Sequence, residues 1–265
     1  DEKMKKKYKI GFQGELGAYS HIAALKLFPK AEIKACKTFD ETFRLAAEDD
    51  NFSIIIPIEN SLAGRVADIH YLLQKYKLQI HSEFFLEVEH NLLACKGASI
   101  EKIKKIRSHG QAISQCQKII QKYNFEPIIA ADTAGSAKYL SSNKDRTEGA
   151  IASKLSAKIY GLQVLKQNIE DESGNVTRFL VMAKEKIQPD YKSGKKYITS
   201  CIFRLKSIPS ALYKCLGGFA TNQINLTKLE SFSVKNSFEQ VNFYLDFEGH
   251  LENENVKKAL EELGF

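Results

Sequence analysis

The stretch from Ile54 to Val66, reading Ile-Ile-Ile-Pro-Ile-Glu-Asn-Ser-Leu-Ala-Gly-Arg-Val, constrains the fold more than any other part of the chain. Three consecutive β-branched residues predict a buried strand, and proline, which has no N–H to give, predicts that it ends at Pro57 or just beyond. Glu59, Asn60 and Ser61 follow, ahead of a helical pattern with Val66, Ile69, Leu73 and Tyr76 on one face. Open α/β sheets build ligand crevices in this way, with polar groups at the carboxyl end of a buried strand. For Asn60 and Ser61 alone, capping of the next helix is the simpler reading.

Composition narrows the class. With 265 residues, 43% hydrophobic and 27% charged, the chain is an ordinary globular protein with room for one large domain or two smaller ones. The five cysteines, Cys36, Cys95, Cys116, Cys201 and Cys215, are scattered without a C-x-x-C pair, as expected of reduced thiols in the cytoplasm. The lysine-rich start runs straight into a strand-like Tyr8–Phe12, unlike a signal peptide, and no apolar run is long enough to span a bilayer, so no membrane partner is expected. The net charge of +7 is spread along the chain without a nucleic-acid motif, which favours a small anionic substrate over nucleic acid.

In chain order, Gly11, Gly14 and Gly17 separate the first strand from a helix at about Tyr19–Phe28. Glycines there let backbone N–H groups approach a ligand, and the helix start, with Ser20 in its first turn, favours an anion. The spacing matches neither a dinucleotide fingerprint nor a P-loop. A strand at Glu32–Lys37 leads through Thr38 and Asp40 to a helix ending near Asp49. The β-rich run from Leu78 to Lys96 reads as a crossing into a second lobe. That lobe shows a helix near Ile100, a strand near Ile106, a helix from Ala112 to Tyr123, a short buried strand at Ile128–Ala131, and a helix Ala134–Leu140 capped by Asp132 and Thr133. A strand at Gly149–Ala152 and a helix ending near Tyr160 follow. Strands at Leu162–Leu165 and Thr177–Ala183 are expected to complete the first lobe's sheet. Beyond a polar linker at Lys184–Lys196 the order is β-α-β-β-α, a ferredoxin-like module without its last strand. The chain stops where that strand would begin, so either the chain is short or the strand is vestigial.

The six histidines form no metal-binding group, so no metal or other cofactor is expected, and no G-x-S-x-G elbow marks a serine hydrolase. What remains at strand ends is a set of hydroxyl and amide side chains, Ser20, Asn60, Ser61, Gln111 and Thr177, with Arg178 beside the last. Such groups hold carboxylates and donate hydrogen bonds to a leaving group.

Together these pieces resemble the prephenate dehydratase family over essentially the whole chain. The resemblance is carried by Gly11, Gly14, Gly17, Ala18, Tyr19 and Ser20; by Pro57 through Ser61 with Gly64 and Val66; by His90, Leu92 and Leu93; by Ser108, His109, Gln111, Ala112 and Gln115; and by Thr177, Arg178 and Phe179. The segment with Ala211, Leu212, Phe219, Ile224, Asn225, Leu226, Thr227, Glu230 and Ser231 resembles the ACT domain that members of this family carry. The resemblance implies an α/β catalytic domain over 1–185, two-lobed like a type II periplasmic binding protein. Lobe 1 spans about 1–82 plus 165–185 and lobe 2 about 83–164, and a ferredoxin-like ACT domain spans 195–265.

It also implies a reaction, the loss of carbon dioxide and water from prephenate to give phenylpyruvate, in L-phenylalanine biosynthesis. Thr177 would donate to the leaving hydroxyl; Ser20, Asn60, Ser61 and Gln111 would orient the substrate. Arg178 would either neutralise substrate charge or pair with an acid such as Glu59. Phe179 would be a cleft wall or a plain core residue. His109 is expected to be structural, and His90 to pack at the lobe crossover. Ala211, Leu212, Asn225, Leu226, Glu230 and Ser231 would form the site for the effector L-phenylalanine, in a homodimer or homotetramer.

Two departures matter. Gly110 stands where the family's Ser-His-Pro-Gln run has proline, which loosens the turn before Gln111. In the ACT segment the usual Gly-Ala-Leu reads Ser210, Ala211, Leu212, and the usual Glu-Ser-Arg-Pro reads Glu230, Ser231, Phe232, Ser233, which predicts weakened effector binding. Arogenate dehydratase is the nearest rival among enzymes, and a catalytically inactive small-molecule binding protein of the same fold is the rival outside them.

Overall fold

A computed structural model describes residues 8–65, 69–234 and 237–264. The chain divides into two compact units, Asp1–Lys186 and Ile187–Phe265. The first unit begins with β1 (Lys9–Gln13), α1 (Tyr19–Leu27), β2 (Glu32–Cys36), α2 (Phe39–Glu48), β3 (Phe52–Asn60), a two-residue β4 (Gly64–Arg65), α3 (His70–Tyr76) and β5 (Gln79–Glu87). It continues with β6 (Asn91–Ala94), a single 3-10 turn (Ile100–Lys102), β7 (Lys105–His109), α4 (Gly110–Ser114), α5 (Gln117–Tyr123), β8 (Glu126–Ala130), α6 (Thr133–Asn143), β9 (Glu148–Ala152), α7 (Lys154–Tyr160), β10 (Gln163–Lys166) and β11 (Val176–Ala183).

These strands form two sheets built on one plan. In the first, β2, β1 and β3 run parallel, and β11 lies antiparallel between β3 and β5. In the second, β8, β7 and β9 run parallel, and β6 lies antiparallel between β9 and β10. Each antiparallel strand enters its sheet just after the chain crosses between lobes. The fold is thus the two-lobed α/β arrangement of type II periplasmic binding proteins. Strand membership moves both expected lobe boundaries: β5 belongs to the first sheet and β10 to the second, so the crossings fall at 88–90 and 167–175. β10 therefore does not complete the first lobe's sheet; β11 alone returns to it.

The isoleucine run forms the spine of the first lobe. Ile54, Ile55, Ile56 and Ile58 are fully buried, each contributing on the order of 1.5–3 kcal/mol by leaving water. The strand does not end at Pro57. It continues to Asn60, because the register against β11 shifts there, with Pro57 opposite Phe179 and Glu59 opposite Arg178. Such a bulge is where a strand tolerates a residue without an N–H. Nor do Asn60 and Ser61 cap a helix: α3 starts at His70, with Ile69 before it and no side-chain cap. Val66 lies outside the described residues.

Two further expectations change. The helix read from Ala112 to Tyr123 is two helices, broken at Gln115 and Cys116, because Asp171 accepts from the backbone N–H of Gln117 and Lys118 and so starts a new helix there. The strand at β8 is an edge strand with Ile129 largely exposed.

The second unit comprises β12 (Ile198–Lys206), α8 (Ala211–Thr221), β13 (Leu226–Val234), β14 (Ser237–Glu248) and α9 (Glu254–Leu263). Its antiparallel sheet has the order β12-β14-β13, the ferredoxin-like arrangement for three strands. Phe203, Phe219, Leu245, Phe247, Val256 and Ala259 form its core. Among the described residues no helix is long and apolar enough to cross a membrane, and no group of three or more His, Cys, Asp or Glu is placed to hold a metal ion.

Candidate active site

The carboxyl ends of β1, β3, β7 and β8 face a cleft of about 350 Å³ between the two lobes of the first unit. Its wall takes Gln13 from the end of β1, Asn60 from the end of β3, His109 from the end of β7, and Thr177 and Phe179 from β11. Ala18, Tyr19 and Ser20 bring the start of α1 to the cleft, and Asp132 and Thr133 the start of α6. Backbone N–H groups at such helix starts have no intrahelical acceptor and carry partial positive charge. No lysine or arginine lines the cleft among the described residues. An anion held here is therefore held by dipoles.

Thr177 is buried at the centre of a chain of amides whose direction is fixed by the backbone. Asn60 Oδ1 accepts from the N–H groups of Leu62 and Ala63, each at 3.0 Å. Because those donors cannot reverse, the other end of the Asn60 amide must donate, and Nδ2 donates to Thr177 Oγ1 at 2.9 Å and to Asn175 Oδ1 at 2.7 Å. Asn175 Nδ2 in turn donates to Gln115 Oε1 at 3.0 Å. His90 Nε2 lies 2.8 Å from the same oxygen, so the proton is on Nε2 and Nδ1 accepts from the Tyr19 hydroxyl at 2.7 Å. The single proton of that hydroxyl is shared with the Glu89 carbonyl oxygen, 2.9 Å away. Burial holds the His90 pKa below its ordinary value and pushes the Tyr19 phenol well above its own. Both are neutral at neutral pH. With Asn60 donating to its oxygen, Thr177 keeps its own proton to give into the cleft.

The expected site residues separate into two sets. Ser20, Asn60, Gln111, Thr177 and Phe179 line the cleft together. Phe179 serves both expected roles, since it lines the cleft and belongs to the buried core of the first lobe. Ser61 does not join them: its hydroxyl donates to the Gly174 carbonyl and accepts from Val176 N–H, tying β3 to the returning segment. Arg178 also leaves the set, because alternation along β11 turns it away from Thr177 and Phe179. Its guanidinium binds Glu83 at 2.7 Å and Glu59 at 3.1 Å across the two neighbouring strands, the pairing alternative anticipated for it. His109 lines the cleft, and its Nδ1 accepts from Gln111 N–H at 3.2 Å to start α4.

The glycine series does not contact the cleft. Gly11 lies within β1, and Gly14 N–H bonds to the Cys36 carbonyl. Gly17 joins the lobes: its N–H bonds to His21 Nδ1 at 2.9 Å, and its carbonyl accepts from Ser153 at 2.6 Å and Ser156 at 3.0 Å. The residues that sequence reasoning left out of the site are Tyr19, His90, Gln115 and Asn175. The first three stand among the residues carrying the family resemblance. Asn175, after Gly174, reads as an ordinary turn residue and gave no signal.

A sequence model of the prephenate dehydratase family matches residues 10–187. The chain is 38% identical over 97% of its length to the bifunctional N-acyl-homoserine lactone acylase/prephenate dehydratase of Komagataeibacter europaeus, covering 91% of that protein. It is also 38% identical to arogenate dehydratase 2 of Petunia hybrida, over 95% of this chain and 67% of that one. Among solved structures, that of prephenate dehydratase from Arthrobacter aurescens in complex with L-Phe superposes with a TM-score of 0.86 at 27% identity, over 96% of this chain and 85% of that one. With the cleft, the two-lobed fold and these likenesses in agreement, the chain belongs to the prephenate dehydratase family.

Proposed function

We propose that the chain is a hydro-lyase converting prephenate to phenylpyruvate, carbon dioxide and water. The observation that carries this reading is the direction of the Asn60–Thr177 bond, which leaves the threonine O–H free to donate to a departing hydroxyl. As the ring carboxylate is lost, the electrons of its C–C bond enter the ring and the C–O bond opposite breaks. The leaving hydroxide takes a proton and the ring becomes aromatic. A threonine is a weak acid, so its part is electrostatic assistance to the oxygen as charge develops. The absence of lysine and arginine from the described lining fits the same step, since a cation paired with the ring carboxylate would oppose its departure as neutral carbon dioxide. The start of α1 with Ser20, and Gln111, would hold the pyruvyl carboxylate.

Arogenate is the second reading, favoured by one observation: the cleft contains a carboxylate, Asp132, that could face arogenate's ammonium group. Acyl transfer is less well supported, because it would require Thr177 to give its proton to a base, and its recorded partner, the Asn60 amide, is a donor. Incubating purified protein with prephenate and with arogenate, and following phenylpyruvate by absorbance in base and phenylalanine by chromatography, tests both readings. Turnover of prephenate at the higher kcat/KM supports the proposal. Preference for arogenate replaces it, and failure to consume either leaves a binding protein.

For the second unit we propose an ACT role with weakened response to L-phenylalanine, within a cytoplasmic homo-oligomer. Ala211 and Leu212 open α8, and Asn225 and Leu226 sit at the start of β13. Ser210 holds a left-handed backbone at φ +63°, where the family's glycine would be free of strain. Glu230 is engaged by Lys228 at 2.7 Å. Isothermal titration showing micromolar phenylalanine binding coupled to loss of activity would overturn the weakened response.

A further inference from the structure

The polar loop at 167–175 is the second crossing between the lobes, and its acidic run Glu170, Asp171, Glu172 has the composition of a solvated surface turn. The structure divides the run. Glu172 is exposed, whereas Glu170 and Asp171 are half-buried and bound to main-chain groups of other segments. Ile169 N–H donates to the His90 carbonyl and Glu170 Oε2 accepts from His90 N–H, each at 2.9 Å, so this crossing holds the other one. Asp171 N–H donates to the Gln115 carbonyl at 2.7 Å, and its carboxylate accepts from the N–H groups of Gln117 at 2.8 Å and Lys118 at 2.9 Å. In an unbroken helix the Gln115 carbonyl would take the N–H of Ile119. Here it takes Asp171 N–H instead, Cys116 leaves the helical conformation at φ −125° and ψ 33°, and Lys118 Nζ closes the contact on the Asp171 carbonyl at 2.9 Å.

The two residues gripped in this way, His90 and Gln115, form the far end of the amide chain that orients Thr177. Gln115 Oε1 accepts from His90 Nε2 at 2.8 Å and from Asn175 Nδ2 at 3.0 Å, and Asn175 Oδ1 accepts from Asn60 at 2.7 Å. We propose that Asp171, with Glu170 beside it, is a positioning residue for the reaction in the cleft. It holds Gln115 where the side-chain oxygen fixes Asn175, and Asn175 fixes the amide that donates to Thr177. The inference rests on the reading of Thr177 as donor to the departing hydroxyl.

Neither carboxylate lines the cleft, so both act through other residues. A donor displaced by a fraction of an ångström loses rate, because reacting groups must be closely aligned. The groups assigned to the pyruvyl carboxylate are anchored elsewhere, Ser20 in α1 and Gln111 by His109. Loss of Asp171 should therefore lower kcat more than it alters KM.

The test is steady-state kinetics with prephenate, normalised to folded protein, beside nitrogen-15 NMR of histidine-labelled protein. Asp171→Ala should lower kcat by about ten- to a hundredfold, and Asp171→Asn, which keeps one acceptor, by less. The second variant keeps the comparison decisive where the first fails to fold. Glu172→Ala should match wild type in both measurements. Asp171→Ala combined with Gln115→Met should be no slower than Gln115→Met alone, since residues acting through one another are not additive. In wild type the His90 signals should be those of the tautomer with its proton on Nε2. Asp171→Ala should move them toward a mixture, because the Gln115 oxygen no longer selects that tautomer. An unchanged kcat in both Asp171 variants overturns the proposal. So does a loss that adds in full to that of Gln115→Met, as a merely structural role would give. A His90 signal unmoved by Asp171→Ala overturns it whether or not prephenate is consumed. Wild-type protein that consumes neither prephenate nor arogenate overturns the reading of the reaction and the kcat effect with it, and the His90 signal then decides alone whether Asp171 holds Gln115.

Discussion

At the scale of single residues, the central feature is that backbone donors at Leu62 and Ala63 dictate which way a side-chain relay points. Asn60→Asp tests this directly. A carboxylate can accept from the two backbone groups but cannot donate to Thr177 or Asn175, so kcat should fall on the order of a hundredfold, the effect typical of losing an oriented donor in an active site. If the role of Asn60 were only to fill space, the isosteric Asn60→Asp would do less harm than the smaller Asn60→Ser, and steady-state kinetics on both variants distinguishes the cases. Histidine titration gives a second prediction. His90 and His21 have pKa values lowered by burial, so the unfolded chain binds protons that the folded one refuses. Their contribution to stability is full above the ordinary histidine pKa of about 6.5 and is lost as pH falls through the lowered folded values. Thermal melts should therefore show Tm dropping as pH is taken from about 7 to about 5, with a smaller drop in His90→Gln. Much of this scale was readable in advance. Asn60, Thr177, Ser20 and Gln111 were legible as polar groups at strand and helix ends, whereas Ser61 was misassigned and Arg178 was left between two roles, because a one-dimensional reading cannot say which backbone a serine meets or which face of β11 an arginine takes. Asn175 was invisible, since nothing in a Gly-Asn dipeptide announces a bond to a glutamine 60 positions earlier.

At the scale of elements, Gly17 joins α1 of one lobe to α7 of the other. Its φ of +95° is a left-handed conformation, and an added Cβ would meet the Ser156 side chain and lie 2.9 Å from the Ser156 Cα. Gly17→Ala should destabilise the protein by about 1–3 kcal/mol, from backbone strain together with a broken contact. It should also raise KM, because the start of α1 would shift within the cleft. Denaturant unfolding and initial-rate kinetics measure the two effects. Ser210 presents the opposite case. Replacing a serine at φ +63° by glycine removes strain of about 1 kcal/mol, so Ser210→Gly should keep or raise Tm and tighten phenylalanine binding if the second unit is an effector module. Elements themselves were well forecast by periodicity and caps, as at Thr38 and Asp132, whose side chains each accept from a first-turn N–H. The failures occurred where a distant residue overrode local pattern. Asp171 broke the Ala112–Tyr123 helix, and the bulge against β11 carried β3 past Pro57.

At the scale of the molecule, two sheets with one strand plan exchange an antiparallel strand each and so face each other across the cleft. That exchange explains why the lobe boundaries could not be read from the chain: the sequence marks β5 and β10 only as strands, and their partners decide which sheet holds them. The cleft so formed offers helix starts and amides to an anion and, among the described residues lining it, no lysine or arginine. A site of that kind should show weak dependence of KM on ionic strength, since dipoles are fixed in place while long-range charge steering is what salt screens. The central claim is that one hydroxyl, oriented by Asn60, assists the departing group. It is tested most directly by the kcat of Thr177→Val, which keeps the shape of the side chain and removes the donor, beside that of Thr177→Ser. With prephenate as substrate, the valine variant should lose about a hundredfold or more in kcat while the serine variant stays within about tenfold of wild type. A valine variant turning over at close to the wild-type rate would contradict the account.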